Sequence, residues 1–320
     1  MASDVSGVQA AEEPPLLSIP DASLFDADAH LAYTPPATIH SLADLGLPLS
    51  PLSPIGSTDP FPLLTQEAVE AHRREIFSKD VIDNCLYVTR KGSCTVRGMA
   101  PRYAPFINAF WKSKEVLEIV SRLAGVELVP VLDHEICHTN VQLGPEGVEG
   151  VKRTPIVPPV STPEAIKEMD EWNERQKVES PAEADNPNKV VVPWHRDSHP
   201  FVCVVMLSDT RHMTGGETEL MRGDGTTVKV RSPQYGGAVV LQGRHVSHLA
   251  HPAKNMPERI TVVTAFRPKD PRLFDDSSHM NVRKQSRLPE LFYQWTQYRL
   301  KLLTLPGRRS EERSRIERSP

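Results

Sequence analysis

The chain has 320 residues, of which 39% are hydrophobic and 24% charged, with a formal net charge of −4. This length is sufficient to bury one substantial core. The weak negative charge gives no indication of nucleic-acid binding, and the absence of any run of 18 apolar residues argues against a membrane-spanning helix. The chain begins without the basic and apolar regions of a secretory signal, and its four cysteines lack C-x-x-C spacing. We therefore expect a cytoplasmic protein with reduced thiols.

Prolines indicate how the chain is organised. Ten of the thirty prolines lie in residues 1–62, which we interpret as an N-terminal arm, disordered over about its first twenty residues and extended along the core thereafter. Residues 63–306 are expected to form a single domain. The charged run at residues 307–320 is expected to be a frayed tail.

Three segments have the periodicity of amphipathic helices. Residues 66–77 and 112–123 repeat apolar side chains at helical spacing and predict helices that pack on the outside of a sheet. Residues 288–303 carry an apolar stripe that core packing would explain. A helix that forms a homodimer is the alternative for this last segment.

Between the second and third helices lies a strand-like segment followed by an insertion. Residues 132–143 predict a strand whose alternation puts His138, Asn140 and Gln142 on one face, directed either to solvent or into a pocket. Residues 144–189 form the insertion. Its segment Ser161-Thr162-Pro163-Glu164 is a capping-box start, which predicts a helix to about residue 177. Both a surface insertion and a lid over a substrate remain open.

The segment Trp194-His195-Arg196-Asp197 follows a β-branched run. Residues i and i+2 of an extended chain point to the same side, so His195 and Asp197 face the same way. A further histidine about fifty residues later completes two imidazoles and one carboxylate, the ligand set that holds Fe(II) and leaves positions open. Taken alone, His-x-Asp is a weak signal, because a hydrogen-bonded pair in a surface loop has the same sequence.

Several short strands follow the His-x-Asp motif. Apolar or alternating runs at 201–207, 237–242 and 259–268 are separated by glycine-rich turns at 215–216, 236–237 and 243. This spacing favours a double-sheet jelly roll rather than an α/β fold.

The region from about 190 to 268 resembles the Fe(II)/2-oxoglutarate-dependent dioxygenases, above all their prolyl-hydroxylase-like and phytanoyl-hydroxylase-like branches. The resemblance is carried by four features in the order found in that family, namely His195-Arg196-Asp197, the Gly-Gly-Glu-Thr turn at 215–218, the strand at 237–243 and Arg259-Ile260-Thr261. It implies a mainly β fold with flanking helices around a double-stranded β-helix core, the jelly roll of cupin-like proteins.

The second histidine ligand is one of three candidates, His245, His248 and His251. In the family that the chain resembles, an arginine lies roughly ten residues beyond the distal histidine. Arg259 lies eleven residues after His248, so the resemblance implies His248 as the ligand. His245 and His251 are expected at the surface or beside the ligands.

Alternation along 259–268 puts Arg259, Thr261 and Arg267 on one face of a strand that is apolar on both sides. A buried arginine in such a strand needs an anion, and a guanidinium pairs with a carboxylate through two charge-assisted hydrogen bonds. The resemblance implies that Arg259 and Thr261 hold the far carboxylate of 2-oxoglutarate. Arg267 is the alternative anchor, and we expect Asn140 and Gln142 also to contact the co-substrate.

The resemblance implies an enzyme that uses Fe(II), 2-oxoglutarate and O₂, with iron on His195, Asp197 and His248. We expect it to hydroxylate, desaturate or cyclise a small organic metabolite at a C–H bond, with release of succinate and CO₂. The sequence resembles fungal oxygenases of specialised (secondary) metabolism. We expect a small-molecule substrate, no nucleic acid and no membrane. A peptide or protein hydroxylase of the prolyl-hydroxylase type and a non-catalytic jelly-roll binding protein are the alternatives.

Overall fold

The computed structural model of the protein describes residues 24–90, 93–178, 192–231 and 233–304. The α-helices in these ranges are α1 Ala27–His30, α2 Gln66–Ile76, α3 Lys79–Cys85, α4 Pro105–Lys112, α5 Lys114–Ala124, α6 Gly147–Val151, α7 Pro163–Val178 and α8 Leu288–Thr304. The strands are β1 Ile39–Ser41, β2 Ile55–Thr58, β3 Phe61–Pro62, β4 Leu86–Arg90, β5 Ser93–Val96, β6 Leu128–Pro130, β7 His138–Gln142, β8 Val192–His195, β9 Phe201–Met206, β10 Thr214–Gly215, β11 Thr218–Met221, β12 Thr227–Val230, β13 Gly237–Leu241, β14 His248–Ala250, β15 Ala253–Lys254 and β16 Arg259–Pro268.

Two antiparallel sheets form the centre of the fold. The major sheet has the order β1-β2-β13-β9-β16-β7-β5-β4, with β3 beside β13 and β6 beside β16, and the minor sheet has the order β12-β11-β14-β8. From β7 onward the chain passes repeatedly between them, because β7, β9, β13 and β16 belong to the major sheet and β8, β11, β12 and β14 to the minor one. This winding is that of a double-stranded β-helix, so the predicted jelly-roll core with flanking helices is confirmed.

The two faces of the major sheet contribute to different cores. On β16, Ile260, Val262 and Phe266 join a buried cluster with residues of α2, α3, α4 and α5. The alternate residue Ala265 joins a second cluster with residues of the minor sheet and of α8. The inner face of β16, which also carries Arg259, therefore faces the space between the sheets.

Polar caps set the helix boundaries on the outer face. The Thr65 and Ser78 side chains accept hydrogen bonds from backbone N–H groups in the first turns of α2 and α3. Ser113 ends α4 and caps α5, so the helix predicted at 112–123 corresponds to α5 and begins two residues later than expected. Gly125, in the left-handed conformation at φ 69°, ends α5.

Most of the other predicted elements lie close to their expected positions. The helices predicted at 66–77, 161–177 and 288–303 correspond to α2, α7 and α8. The strand predicted over 132–143 is wrong in its first half, where residues Asp133–Glu135 form a 3-10 helix and Cys137 has φ 58°. Only β7 is extended, because the polar run before it turns inward and is buried.

The N-terminal arm contributes to the fold, because β1, β2 and β3 join the edge of the major sheet beside β13. Residues 1–23 and 305–320 lie outside the described residues, as does 179–191 within the insertion, so the predicted disorder, tail and lid stay predictions. The domain boundaries and the homodimer also stay predictions. No helix among the described residues is long and apolar enough to cross a membrane.

A buried ion pair fixes the start of β16. The Arg73 side chain on α2 is fully buried and donates to both carboxylate oxygens of Glu258, at 2.6 and 3.1 Å. The guanidinium also donates to the backbone oxygens of Pro155 and Leu207. Because Glu258 directly precedes Arg259, this pair links α2 and the insertion to the strand that carries Arg259.

We expect Arg73→Met to lower the free energy of unfolding by about 3–5 kcal/mol, because it leaves the Glu258 carboxylate without its buried partner. Urea unfolding followed by circular dichroism measures the change. Arg74→Met is the matched control, since Arg74 is exposed on the same helix and its loss should change stability by less than about 0.5 kcal/mol. Equal losses from the two variants would contradict a stabilising role for the buried pair.

Candidate metal centre

The pairing of β8 with β14 brings two distant histidines together. The two strands are antiparallel neighbours, with His248 directly opposite His195. Their ring centroids lie 4.2 Å apart. Asp197 follows two residues after His195, and its backbone N–H donates to the Gly243 carbonyl at 2.9 Å. His248 also lies opposite the buried Leu220, a member of the cluster between the sheets, so the site faces the barrel interior.

Backbone carbonyls orient both imidazoles. The Nδ1 of His195 lies 2.8 Å from the Pro193 carbonyl oxygen, and the Nδ1 of His248 lies 3.0 Å from that of Val246. Because a carbonyl oxygen only accepts, each Nδ1 carries a proton and each Nε2 presents a lone pair. The Nε2 atoms lie 3.6 and 3.7 Å from the two carboxylate oxygens of Asp197. This is the orientation of ligand histidines held by an outer hydrogen bond.

The donor set fits a divalent metal ion. The ligand atoms of His195, Asp197 and His248 lie within 4.8 Å of one another, and no other such group occurs in the part of the chain that the structure describes. The Nε2-to-oxygen separations exceed hydrogen-bond length, so the three side chains do not bond to one another and their ligand atoms would be available to a metal ion. Oδ2 of Asp197 is buried without a hydrogen-bond partner, as expected of an atom that awaits an ion.

Burial and charge within the triad favour the metal-binding protonation state at Asp197 and His248 but oppose it at His195. Burial alone would raise the pKa of Asp197, but the two neighbouring histidines lower it below its usual value. Burial lowers the pKa of His248, which keeps that imidazole neutral. Burial also lowers the pKa of His195, but the Asp197 carboxylate more than offsets this and raises it. A metal ion must therefore compete with a proton chiefly at His195.

The other candidate histidines lie away from the triad. His245 is directed to the N-terminal arm, where its Nε2 lies 2.8 Å from the Pro48 carbonyl oxygen. The Nε2 of His251 lies 2.5 Å from a carboxylate oxygen of Glu219. The structure thus brings together His195, Asp197 and His248, the set that the sequence resemblance implies.

We expect His248→Ala to weaken Mn(II) binding by more than about 100-fold, which exceeds the usual effect of losing a contact outside the ligand set. Isothermal titration calorimetry with Mn(II) as the probe measures the loss. His245→Ala is the matched control and should retain the affinity of the unmodified protein. Loss of metal in His245→Ala with retention in His248→Ala would overturn the ligand assignment.

Gly243 allows the Asp197 carboxylate to take its position. A Cβ atom added at Gly243 would lie 1.8 Å from Oδ2 of Asp197 and 2.7 Å from its Cγ. The φ angle of Gly243 is not positive, so backbone strain does not require glycine here. Glycine is required because the Asp197 carboxylate approaches its Cα closely. The sequence showed a glycine at the end of a strand, but only the fold shows that it accommodates a metal ligand.

We expect Gly243→Ala to weaken Mn(II) binding by about 10- to 100-fold, because the added methyl group displaces the carboxylate. Calorimetric titration with Mn(II) measures the change. Gly144→Ala is the control, since a Cβ there would meet the flexible end of Met169 at 3.1 Å and no metal ligand. Unchanged metal affinity in Gly243→Ala would show that the Asp197 carboxylate does not bind the ion in the position described.

The other predicted site residues lie on the inner face of the major sheet. Arg259 is directly opposite Gln142 and Thr261 opposite Asn140, so each pair shares a face. The Nε of Arg259 is buried without a hydrogen-bond partner, and burial lowers the pKa of its guanidinium to about 10. An interior cation in this state calls for an anion from a ligand.

Arg267 lies at the opposite end of the same strand face. Its Nε, like that of Arg259, is buried without a hydrogen-bond partner. Its Nη1, however, donates to the Pro268 carbonyl at 3.1 Å, and its guanidinium carbon lies 4.7 Å from the Tyr298 ring centroid on α8. Burial lowers its pKa as well, although the nearby Asp275 charge opposes the shift. Arg267 therefore has more protein partners than Arg259, and Arg259 is the better candidate for an anion site.

Sequence reasoning missed a buried charged pair beside this face. Arg97 donates to Glu135 at 3.2 Å, and both side chains are almost fully buried. Glu135 also lies 3.6 Å from His199, which follows Asp197 by two residues. No sequence signal indicates this group, because Arg97 and Glu135 meet only through the pairing of β5 with β7 and the turn before β7.

No family model matches the chain, and no curated protein matches it in sequence. Among solved structures, the chain is similar to a Pseudomonas putida prolyl-4-hydroxylase, with 16% identity and a TM-score of 0.37 over 64% of this chain and 89% of the other. It is also similar to AviO1 from Streptomyces viridochromogenes, with 15% identity and a TM-score of 0.39 over 67% and 90%. A dioxygenase for auxin oxidation in rice has 15% identity and a TM-score of 0.34 over 64% and 70%. At similarities this low, the matches carry no argument about function.

The strand order and the triad describe the fold and the candidate metal site of the chain itself. A double-stranded β-helix with two histidines and one aspartate converging between its sheets is a facial-triad metal site on a jelly roll. These are the fold and the ligand set that the sequence resemblance implies.

Proposed function

We propose that this protein is an Fe(II)- and 2-oxoglutarate-dependent oxygenase that oxidises a C–H bond of a small organic molecule. One observation carries the proposal: a preformed triad and an arginine whose Nε is buried without a hydrogen-bond partner face the same space between two sheets. The triad supplies three ligands for a metal ion. The arginine supplies the positive charge that a dicarboxylate co-substrate requires.

His195, Asp197 and His248 would hold Fe(II) and leave the positions opposite them open. When bound, Fe(II) with 2-oxoglutarate and O₂ supplies the oxidising power to break a C–H bond, with release of succinate and CO₂. Arg259 would hold the far carboxylate through a charge-assisted pair, and the hydroxyl of Thr261 lies on the same strand face. Asn140 and Gln142 lie opposite these two residues and would complete the contacts with the co-substrate.

The chain holds its charged groups in position before any ligand binds. The carbonyls of Pro193 and Val246 fix the tautomers of the triad histidines, and Glu258 paired with Arg73 fixes the start of β16. Fixed polar groups in a site from which water is excluded interact more strongly with a ligand than the same groups in water. The protein therefore contributes orientation, and the bound groups would contribute the redox chemistry.

We expect Arg259→Gln to weaken 2-oxoglutarate binding to the Mn(II)-loaded protein by about 10- to 150-fold, which corresponds to the loss of about 1.5–3 kcal/mol of charge-assisted hydrogen bonding. Calorimetry with 2-oxoglutarate as the probe measures this affinity. Arg267→Gln is the matched control and should bind 2-oxoglutarate nearly as the unmodified protein does. The reverse result would identify Arg267 as the anchor.

Turnover separates the remaining alternatives. Succinate formation with Fe(II), 2-oxoglutarate and O₂ is expected of an oxygenase and not of a non-catalytic jelly-roll binding protein. A screen of small metabolites against proline-containing peptides then distinguishes a metabolite oxygenase from a peptide hydroxylase. The net charge of −4 gives no support to a polyanionic substrate. A cytoplasmic location and a role in specialised metabolism stay proposals from the sequence.

A further inference from the structure

Polar side chains on four neighbouring strands lie in a line across the inner face of the major sheet, next to the proposed co-substrate site. Tyr87 on β4 lies directly opposite Thr95 on β5, and Thr95 lies opposite Asn140 on β7. Asn140 lies in turn opposite Thr261 on β16. Directly opposed residues share a face, so this line of side chains runs from Thr261 to Tyr87 on β4, the last strand of the sheet. Cys94 and Val96, which alternate with Thr95, belong to the core on the outer face.

Arg97, two residues after Thr95, forms a buried ion pair with Glu135, and the pair contributes no net charge. Their side chains are 5% and 4% exposed and form a 3.2 Å ion pair, so each charge is offset where water cannot reach it. Burial alone would raise the pKa of Glu135, but the Arg97 guanidinium holds it well below its usual value. Glu135 therefore remains ionised, and the pair as a whole is neutral.

The same arginine determines the tautomer of His138. Nη2 of Arg97 lies 2.6 Å from Nδ1 of His138, and a guanidinium can only donate. Nδ1 of His138 must therefore accept, which leaves the proton of the neutral imidazole on Nε2. Burial, together with the positive charge of Arg97, lowers the pKa of His138 well below its usual value and keeps the ring neutral.

His138 and the Arg97–Glu135 pair lie on the side of this group that is close to the metal ligands. His138 is opposite Val263 on β16, on the face that carries Arg259 and Thr261. Glu135, the partner of Arg97, lies 3.6 Å from His199, two residues beyond Asp197. A molecule held by Arg97 and His138 would thus lie beside the triad.

Four buried polar atoms of this group have no hydrogen-bond partner, namely the Tyr87 hydroxyl, the Thr95 hydroxyl, Nε of Arg97 and Nε2 of His138. Buried polar atoms in folded proteins are almost always hydrogen-bonded, so four in one patch indicate a missing partner. Two of the four are N–H groups that can only donate, and two are hydroxyls that can donate or accept. The complementary partner is an oxygen atom, and the neutral charge of the patch gives no preference for a carboxylate.

We propose that Tyr87, Thr95, Arg97 and His138, hereafter the polar row, form a substrate subsite that binds a neutral carbonyl or hydroxyl oxygen next to the metal. The proposal rests on the proposed oxygenase function and narrows its substrate to a neutral, oxygen-bearing molecule. The polar row orients that oxygen, and with it the C–H bond presented to the metal. Arg259, in contrast, receives the charged co-substrate on the other side of Thr261.

The test uses three probes that share a six-carbon ring, namely cyclohexanone, cyclohexanecarboxylate and cyclohexylamine. Ligand-observed NMR gives the affinity of each probe for the protein loaded with Zn(II) and 2-oxoglutarate, and again for the metal-free protein. We expect cyclohexanone to bind about fivefold or more tightly than either charged probe, because only a neutral acceptor matches the polar row. Crystals soaked with cyclohexanone should show its oxygen at hydrogen-bond distance from Nε2 of His138 or the Tyr87 hydroxyl.

The double variant Tyr87→Phe/Thr95→Val removes two hydroxyls with little change in volume and should weaken cyclohexanone by about fivefold or more. Tyr293→Phe, on the partly exposed face of α8, is the matched control and should bind like the unmodified protein. The proposal is overturned if cyclohexanone does not bind, binds only elsewhere, or binds both variants alike. Failure of Mn(II) and 2-oxoglutarate to bind would instead refute the proposed function, and probe binding to the metal-free protein is read independently of it.

Discussion

The antiparallel pairing of β8 with β14 is the constraint on which the site depends. It places His195 opposite His248, although 53 residues separate them in sequence. Two backbone carbonyls then turn each Nε2 toward Asp197, and Gly243 leaves room for that carboxylate. Each part of the arrangement is fixed by backbone rather than by long, flexible side chains. A metal site built in this way loses little conformational entropy when the ion binds.

Strand β16 connects this site to the rest of the protein. Its outer residues pack against the helices, and its inner residues face the minor sheet, so its register couples both cores. The Arg73–Glu258 pair holds the start of the strand, where Arg259 is buried without a hydrogen-bond partner at Nε. An arginine in this state lowers the stability of the ligand-free protein, and the well-packed strand around it offsets that cost. The same strand, β16, therefore contributes both to the stability of the fold and to the proposed ligand site.

The sequence was sufficient for those parts of the site that follow from local rules. Period-two alternation placed His195 with Asp197 and Arg259 with Thr261. The choice of His248 among three histidines came instead from the resemblance, which implies an arginine roughly ten residues beyond the distal histidine. The polar row was not predictable, because Arg97 and His138 are 41 residues apart and meet only when β5 pairs with β7. Residues 132–137 were misread as a strand, because the three consecutive polar residues Asp133–Glu135 form a 3-10 turn and are buried. The helix predicted from residue 112 begins at Lys114, because Ser113 ends one helix and caps the next.

The interior of the barrel is divided by charge. Arg259 presents a cation that no carboxylate among the described residues pairs with, whereas the charge of Arg97 is cancelled by Glu135. Transfer of a dicarboxylate from water is favourable only where a buried cation compensates for lost hydration, so it would bind beside Arg259. A neutral molecule gains nothing from that cation but can satisfy the unpartnered donors and hydroxyls of the polar row. The charged co-substrate would thus bind at the Arg259 end of this sheet face and the neutral substrate at the polar row. Each would reach the metal held by the triad from a different side.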